Sequence, residues 1–241
     1  MKSFLALTCL AFLLALITTP VFAEVLKIAT IALPPYGYME KGLPSGLNYE
    51  LGNIIAEEAG YTPKNVIVPL ARAMGSIETG KVDVVIMFPN PSIDTNAYNL
   101  GLVLPMETVV LGRADTVIRT IDDLRGKTVA TVRGAKYDDR ISKKDGIIFY
   151  PTNDYSQSLK MLMGRRLDAV VGPVFGLHYT AKKNNFSKQD FGTPLILSTA
   201  QGSLFLSIKK ASTDKKRRLT KAVKRLRENG TMKRLLDKYT F

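Results

Sequence analysis

The chain has 241 residues and one cysteine, Cys9, so it has room for two modest domains, and a disulfide-stabilised small scaffold is excluded. Its net charge is +13, but residues 209–241 carry thirteen of the Lys and Arg residues against three acids. The remaining body is therefore close to neutral, which argues against a basic nucleic-acid-binding surface along the whole chain.

The N-terminus has the layout of a secretory signal peptide. Lys2 precedes an apolar run over residues 4–17, and Val21-Phe22-Ala23 has small or modest side chains where a signal peptidase inspects the chain. We expect residues 1–23 to be removed by cleavage after Ala23 and the mature protein to be periplasmic. A retained anchor helix is the alternative, although the apolar run is short for a membrane span.

The mature chain alternates predicted strands and helices, first over residues 25–88. In order, these elements are a strand at 25–31, a break at Pro34–Tyr38, a helix from a Ser45 cap to Gly60, a strand at 66–68, a helix at 71–79 and a strand at 82–88. Strand, helix, strand, helix, strand is the pattern of parallel strands with right-handed crossovers.

Residues 127–171 repeat this pattern. The predicted elements are a strand at 127–132, a turn opened by Gly134, a helix at 137–141, a strand at 147–150, a helix capped by Asp154 and ended by Gly164, and a strand at 167–171. A short sequence motif is also repeated: GKVDVVI begins at Gly80, and the similar GRRLDAVVG begins at Gly164. Two similar α/β units whose strand ends face one crevice would form a two-lobed clamp.

The basic C-terminal segment also has a helical pattern. Leu219, Val223 and Leu226 lie at helical spacing, Gly230 is a predicted C-cap, and a second apolar face follows around Leu235. We expect an amphipathic helix with a solvated cationic face. Contact with anionic lipid or with an acidic partner is the alternative.

Five stretches resemble, in order, the periplasmic solute-binding proteins of family 3, most of which bind polar amino acids. They are ALPPYGYMEKGLPSGLNYELGNIIAEEAG, GKVDVVI, DDLRGKTVATVRGAKYDD, GRRLDAVVG, and LSIKK followed by ENGTMKRLLDKY. The resemblance implies an α/β fold of type II periplasmic-binding-protein topology, with two open, mostly parallel sheets and flanking helices. One lobe would comprise residues 24–111 plus 205–241, and the other residues 112–204. Two crossings, near Val110-Leu111 and Gly202-Ser203, would act as the hinge.

The resemblance also implies a function. The protein would be a monomeric extracytoplasmic receptor that binds a small polar solute between its lobes and delivers it to the membrane permease of an ABC importer. No cofactor, metal or nucleic acid is expected, and the lone His178 is expected on a helix surface rather than in a metal site. A carboxylate-bearing ligand, an amino acid or a derivative, is the expected class.

Three positions depart from the family's usual ligand contacts. The arginine that clamps a ligand carboxylate would fall near Thr95, the acid that holds an ammonium is replaced by Pro173, and the stacking aromatic aligns with Leu33. An ordinary zwitterion would therefore lack its usual partners, and an unpaired buried charge is costly.

Other residues can supply a site. The turn at Gly134, with Arg133 and Lys136 beside it, could hold an anion at a helix N-terminus. Arg72 is the substitute carboxylate clamp, with a solvated first-turn arginine as the alternative. The remaining candidates are apolar walls and polar contacts, namely Tyr36, Tyr38, Phe88, Asn90 and Asp154.

Two other functions compete with the receptor. A dehydratase-type enzyme on the same scaffold would need a tuned acid or base, for which Asp154 and Glu107 are the candidates, but no paired carboxylates or nucleophile–base arrangement stands out. A sensory subunit that presents its ligand to a membrane receptor is the second. Nucleic-acid binding through KKRRLTKAVKRLR is the weakest, because export and the lack of interleaved aromatics oppose it.

Overall fold

The computed structural model describes residues 23–89, 91–135, 137–141 and 146–239. The predicted signal peptide, apart from Ala23, lies outside these residues. Within them, the strands are β1 (Val25–Ile31), β2 (Tyr38–Glu40), β3 (Leu43–Ser45), β4 (Thr62–Val68), β5 (Val84–Met87), β6 (Ala97–Gly112), β7 (Thr128–Val132), β8 (Ile148–Thr152), β9 (Ala169–Pro173) and β10 (Leu195–Ser207). The α-helices are α1 (Leu47–Glu58), α2 (Leu70–Thr79), α3 (Pro91–Asn96), α4 (Tyr155–Met163), α5 (Val174–Lys183), α6 (Thr213–Glu228) and α7 (Thr231–Tyr239).

Two groups of four strands have the same internal order. Eight strands are hydrogen-bonded in the order β4-β1-β5-β10-β6-β9-β7-β8. In one group, β1 pairs in parallel with β4 and β5, and β10 is antiparallel to β5. In the other, β7 pairs in parallel with β8 and β9, and β6 is antiparallel to β9. The predicted doubling of an α/β unit is therefore confirmed, and the two groups are called the first and second halves below.

The repeated phrase places one aspartate in the same position of each half. Asp83, just before β5, accepts the backbone N–H of Lys27 at 2.9 Å, and Asp168, just before β9, accepts that of Thr128 at 2.8 Å. The backbone N–H of Asp83 in turn donates to the carbonyl of Lys27, and that of Asp168 donates to the carbonyl of Thr128. Each aspartate thus fixes the start of one strand against its parallel neighbour, β5 against β1 and β9 against β7. The repeated motif therefore has the same structural role in both halves.

The halves are joined by two long antiparallel strands. β6 pairs with β10 along most of its length, while Thr108–Gly112 of β6 pair with β9 and Ser203–Leu206 of β10 pair with β5. The β6–β10 ladder is irregular between Ile196 and Ser198 and again around Ser203. The chain therefore passes between the halves twice, along paired strands.

Two local predictions were wrong. Ser45 does not cap α1; it ends β3, and Gly46 is the N-cap, with φ 122°. A side chain at position 46 is excluded because a Cβ there would lie 2.6 Å from the carbonyl oxygen of Tyr36. Residues 137–141 are irregular, with a turn at 139–140, rather than helical, so the predicted helix N-terminus at 137–141 is absent.

The basic C-terminal segment folds as two helices against the first half. Leu219, Val223 and Leu226 of α6 are buried, as their spacing predicts. The Arg218 guanidinium donates at 2.9 Å to the carbonyls of Ala59 and Gly60 that follow α1. Further ion pairs join Arg225 to Glu58 and Lys238 to Glu50. Part of the cationic charge therefore attaches the helices to the first half, while Lys216, Arg217, Lys221, Lys224 and Arg227 are exposed.

Among the described residues, no helix combines the length and the apolar character that a membrane span requires.

Candidate functional site

A cavity of about 420 Å³ lies between the two halves. Its volume falls in the range of small-molecule sites. Both halves contribute to its walls. The apolar residues of the first half that line it include Ile31, Leu33, Leu70, Ile86, Met87 and Phe88. The second half contributes Val132, Arg133, Gly134, Ala135, Tyr137, Asn153, Tyr155 and Pro173.

The Pro-Pro-Tyr segment positions Tyr36 in this wall. The carbonyl of Pro35 accepts the N–H of Leu47 at 2.9 Å, and the carbonyl of Tyr36 accepts that of Asn48 at 2.9 Å. These carbonyls satisfy N–H groups that the first turn of a helix otherwise leaves unpaired. The loop after β1 is thereby fixed on the start of α1, and Tyr36 and Asn48 both line the cavity.

Two buried polar atoms of the first half lack partners. Asn48 is 5% exposed; its Nδ2 donates to the carbonyl of Ile86 at 3.5 Å, whereas its Oδ1 has no hydrogen-bond partner in the described structure. The hydroxyl of Tyr36, a residue 4% exposed, likewise makes no hydrogen bond of normal geometry, although the backbone of Gly176 lies beside it. Buried polar atoms are rarely left unbonded. Both residues line the cavity but both atoms are covered, so a ligand reaches them only with a rearrangement of these side chains.

Two glycines make room for Tyr155, the tyrosine of the second half that faces them. A Cβ on Gly172 would lie 2.6 Å from Tyr155 Cε1, and one on Gly176 would lie 3.0 Å from Cε2. The Tyr155 hydroxyl is 3.1 Å from that of Tyr137. Burial raises the pKa of Tyr155 and raises that of Tyr137 to about 12, so both hydroxyls are neutral at physiological pH.

The two halves touch at the cavity. The rings of Tyr36 and Phe175 meet edge to face, with centroids 6.0 Å apart. On another side, a Cβ at Gly134 would lie 3.9 Å from Leu70 Cδ2. Gly134 has φ 80°, a conformation that suits glycine in the turn after β7. The cavity is therefore enclosed by residues that the chain brings together from far apart in sequence.

Four of the residues proposed from the sequence line the cavity. They are Tyr36, Phe88, Arg133 and Gly134. Asn90 and Lys136 lie outside the described residues.

Three other proposed residues do not line the cavity. Arg72 is exposed on the first turn of α2, although its neighbours Leu70 and Ala71 are in the wall. Tyr38 lies on β2, with its ring centroid 6.4 Å from that of Tyr179. Asp154 is the N-cap of α4, and its carboxylate accepts the N–H of Gln157 at 2.7 Å. The predicted capping role of Asp154 is confirmed.

Sequence reasoning missed four polar lining residues, Asn48, Tyr137, Asn153 and Tyr155. Asn48 had a detectable signal, because it is an uncharged polar residue beside Leu47 on the apolar face of α1. The tyrosines had none, since their positions depend on the packing of the second half. No three His, Cys, Asp or Glu side chains in the described ranges cluster as metal ligands would.

Comparison with known proteins shows similarity to one protein family. The profile of the bacterial extracellular solute-binding proteins, family 3, matches residues 26–92. The chain is 27% identical over 214 residues to the probable amino-acid-binding protein YxeM of Bacillus subtilis, covering 85% of this chain and 79% of that protein. It is 24% identical to the arginine-binding extracellular protein ArtP of the same organism, covering 85% and 81%. The matched profile and these relatives support the resemblance to the family 3 solute-binding proteins.

Solved structures confirm the fold expected of this family. An ancestral arginine-binding protein bound to arginine superimposes with a TM-score of 0.77 at 19% identity, covering 90% of this chain and 99% of that one. The ancestral amino-acid-binding protein AncCDT-1, a precursor of cyclohexadienyl dehydratase, gives 0.75 at 18% identity, covering 90% and 96%. The chain therefore has the type II periplasmic-binding-protein fold predicted from its sequence.

Proposed function

We propose that this protein is an extracytoplasmic receptor for a small, carboxylate-bearing solute, an amino acid or a derivative, which it delivers to the permease of an ABC importer. The observation that carries the proposal is the 420 Å³ cavity, whose wall is built from both halves of the chain. The amino-acid-binding relatives support the solute class. Export directed by residues 1–23, with cleavage after Ala23, and a monomeric state are parts of the same proposal.

Binding proceeds by closure of two lobes, residues 24–111 plus 205–241 and residues 112–204. The pairing of β6 with β10 supports this division, because these two strands connect the halves. A solute that contacts both lobes stabilises the closed arrangement by its differential affinity for that state. The edge-to-face contact of Tyr36 with Phe175 is one that opening would break.

Arg133 holds the carboxylate. It is the one charged side chain among the described residues that line the cavity, and it stands beside the turn at Gly134. A guanidinium can bind a carboxylate through two parallel hydrogen bonds. Lys136 and Arg72 add positive charge close in sequence to the lining residues Ala135 and Ala71. Asn90, Tyr38 and Asp154 stay predictions from the sequence alone, because none of them is among the described residues that line the cavity.

Calorimetric titration after a thermal-shift screen tests the receptor function. The screen contains amino acids, their derivatives, dipeptides and organic acids, because a ligand that binds only the folded state raises its apparent stability by mass action. We expect at least one carboxylate to bind, and we expect Arg133→Ala to weaken it at least tenfold. Arg119→Ala is the control, since Arg119 is an exposed arginine that does not line the cavity. If no solute binds, or if Arg133→Ala and Arg119→Ala bind the ligand with the same affinity, the proposal fails.

The enzyme of dehydratase type is the second candidate. It is favoured by the similarity to AncCDT-1, which is described as a precursor of a dehydratase. Its acid or base would have to come from Asp154 or Glu107, and neither lines the cavity in the described structure. Turnover of the bound ligand, followed by chromatography of the mixture, would replace the receptor with this enzyme. If the protein instead presents its ligand to a membrane sensor, it should bind the ligand but support no ligand transport when it is reconstituted with a permease.

A further inference from the structure

The charge of the cavity wall is unbalanced. Arg133 provides a cation at one place, but no Asp or Glu is among the described lining residues. The acids closest in sequence to the wall are engaged elsewhere. Asp154 caps α4 through the N–H of Gln157, and Asp138 is paired with Arg140 at 2.6 Å. The described wall therefore has a place for a negative charge and no carboxylate to balance a positive one.

The end of β9 contributes an uncharged residue to the wall. Pro173 is buried, lines the cavity and is the N-cap of α5 without a side-chain capping bond. A protonated amine placed against Pro173 and the neighbouring apolar residues would lose its hydration without gaining an ionic partner, which strongly disfavours burial.

The unpartnered polar groups are neutral. Asn48 Oδ1 is an acceptor and the Tyr36 hydroxyl is both donor and acceptor, and both residues line the cavity. Burial raises the pKa of the Tyr36 hydroxyl, so it does not ionise near neutral pH. These groups match a hydroxyl, an amide or another uncharged hydrogen-bonding group on the ligand.

We propose that the cavity selects a carboxylate with an apolar body and an uncharged hydrogen-bonding group, and that it discriminates against a free protonated amine. Hydroxy acids and N-acylated forms of apolar amino acids are the matching class. The inference rests on the proposed receptor function and narrows its ligand. Arg133 takes the carboxylate, the apolar walls take the body, and Asn48 and Tyr36 take the neutral polar group.

Matched ligands test this selection directly. The first set is L-phenylalanine, 3-phenyllactate and N-acetyl-L-phenylalanine, and the second is L-leucine, 2-hydroxy-4-methylpentanoate and N-acetyl-L-leucine, all titrated into the full mature protein at neutral pH. In at least one set, the hydroxy or acylated member should bind at least tenfold more tightly than the amino acid. Equal or tighter binding of the amino acid overturns the inference, as does tight binding of L-arginine or of a quaternary ammonium on the aromatic walls.

The receptor function and this selection fail in different ways. If neither set binds but another solute in the wide screen does, the receptor stands and the selection is overturned. If nothing in the screen binds, the receptor itself fails, and the selection fails with it.

A pair of variants provides the matched protein test. Pro173→Asp places a carboxylate on the wall, and Pro173→Asn places a neutral side chain of the same shape there; both residues suit an N-cap. The affinity for the free amino acid, divided by the affinity for its hydroxy or acylated analogue, should be at least tenfold higher in Pro173→Asp than in Pro173→Asn. An identical preference in the two variants overturns the inference, and the wild-type titrations decide it if either variant fails to fold.

Discussion

The repeated aspartates allow a controlled prediction about stability, because only one of them has a buried cation beside it. Lys215 of α6 lies with its Nζ 2.8 Å from Asp83 Oδ1, and its side chain is 11% exposed. For Asp168 the structure shows the same bond to a strand N–H, but no ion pair to it is among the salt bridges of the described residues. Asp83→Asn and Asp168→Asn therefore make the same chemical change in two different electrostatic settings.

The expected losses differ by about a factor of three. Leaving one charge of a buried pair without its partner costs about 3–5 kcal/mol. Because Glu24 Oε1 remains 3.3 Å from Lys215 Nζ, we expect Asp83→Asn to cost about 3 kcal/mol, at the lower end of that range. Asp168→Asn weakens one hydrogen bond to a charged acceptor, which costs about 1 kcal/mol.

Thermal unfolding followed by circular dichroism measures the difference. For a chain of this size, a loss of 1 kcal/mol lowers Tm by about 2–4 °C, so Asp83→Asn should lower Tm by about 6–12 °C and Asp168→Asn by about 2–4 °C. A double-mutant cycle of Asp83→Asn with Lys215→Met should give a coupling of about 2 kcal/mol. Equal losses for the two aspartates, or a coupling near zero, would refute the account of the ion pair.

Three other predictions concern the cavity wall and its tyrosines. Asn48→Leu should raise the stability of the ligand-free protein by about 1 kcal/mol, because it removes a buried unpaired acceptor, while weakening the ligand at least tenfold; calorimetry that shows unchanged affinity would contradict this. Gly176→Ala should lower the free energy of unfolding by about 1–3 kcal/mol, because the new methyl group contacts Tyr155. Gly75→Ala, with nothing within 4 Å of the new methyl group, should raise it by about 0.5–1 kcal/mol. A rise in both variants would contradict the packing argument. The pKa of Tyr137 is raised from 10.0 to about 12, so this tyrosine ionises at lower pH in the unfolded chain than in the folded one. Its contribution to the free energy of unfolding is therefore complete below pH 10 and is lost as the pH rises through 12. A denaturation midpoint that does not fall over this range would show that the hydroxyl is not buried.

The fold was predictable because its signals are local and occur twice. Strand-forming runs, glycines at helix ends and the two aspartates each act over a few residues, and together they indicate two similar α/β units. The errors came from effects between elements. Ser45 is a favourable cap residue by type, but the close approach of the Tyr36 carbonyl requires glycine at position 46. The segment 137–141 has helical character by composition and is instead irregular near the cavity.

The site was less predictable than the fold. Arg133 and Gly134 could be proposed because charge and a turn are visible in the sequence, and both line the cavity. Arg72 has the same kind of signal, but its exposure on α2 depends on how that helix is rotated against the sheet. Tyr155 faces the cavity because Gly172 and Gly176 leave space for its ring, a relation that no local pattern encodes.

Closure of the two halves around a solute is the central claim, and small-angle X-ray scattering of the mature protein tests it most directly. Profiles are collected without ligand and with a saturating concentration of the tightest ligand from the screen. The account predicts a smaller radius of gyration with ligand, and it predicts that the calculated profile of the structure, in which Tyr36 contacts Phe175, fits the ligand-bound data better than the ligand-free data. Superimposable profiles at saturation would contradict it.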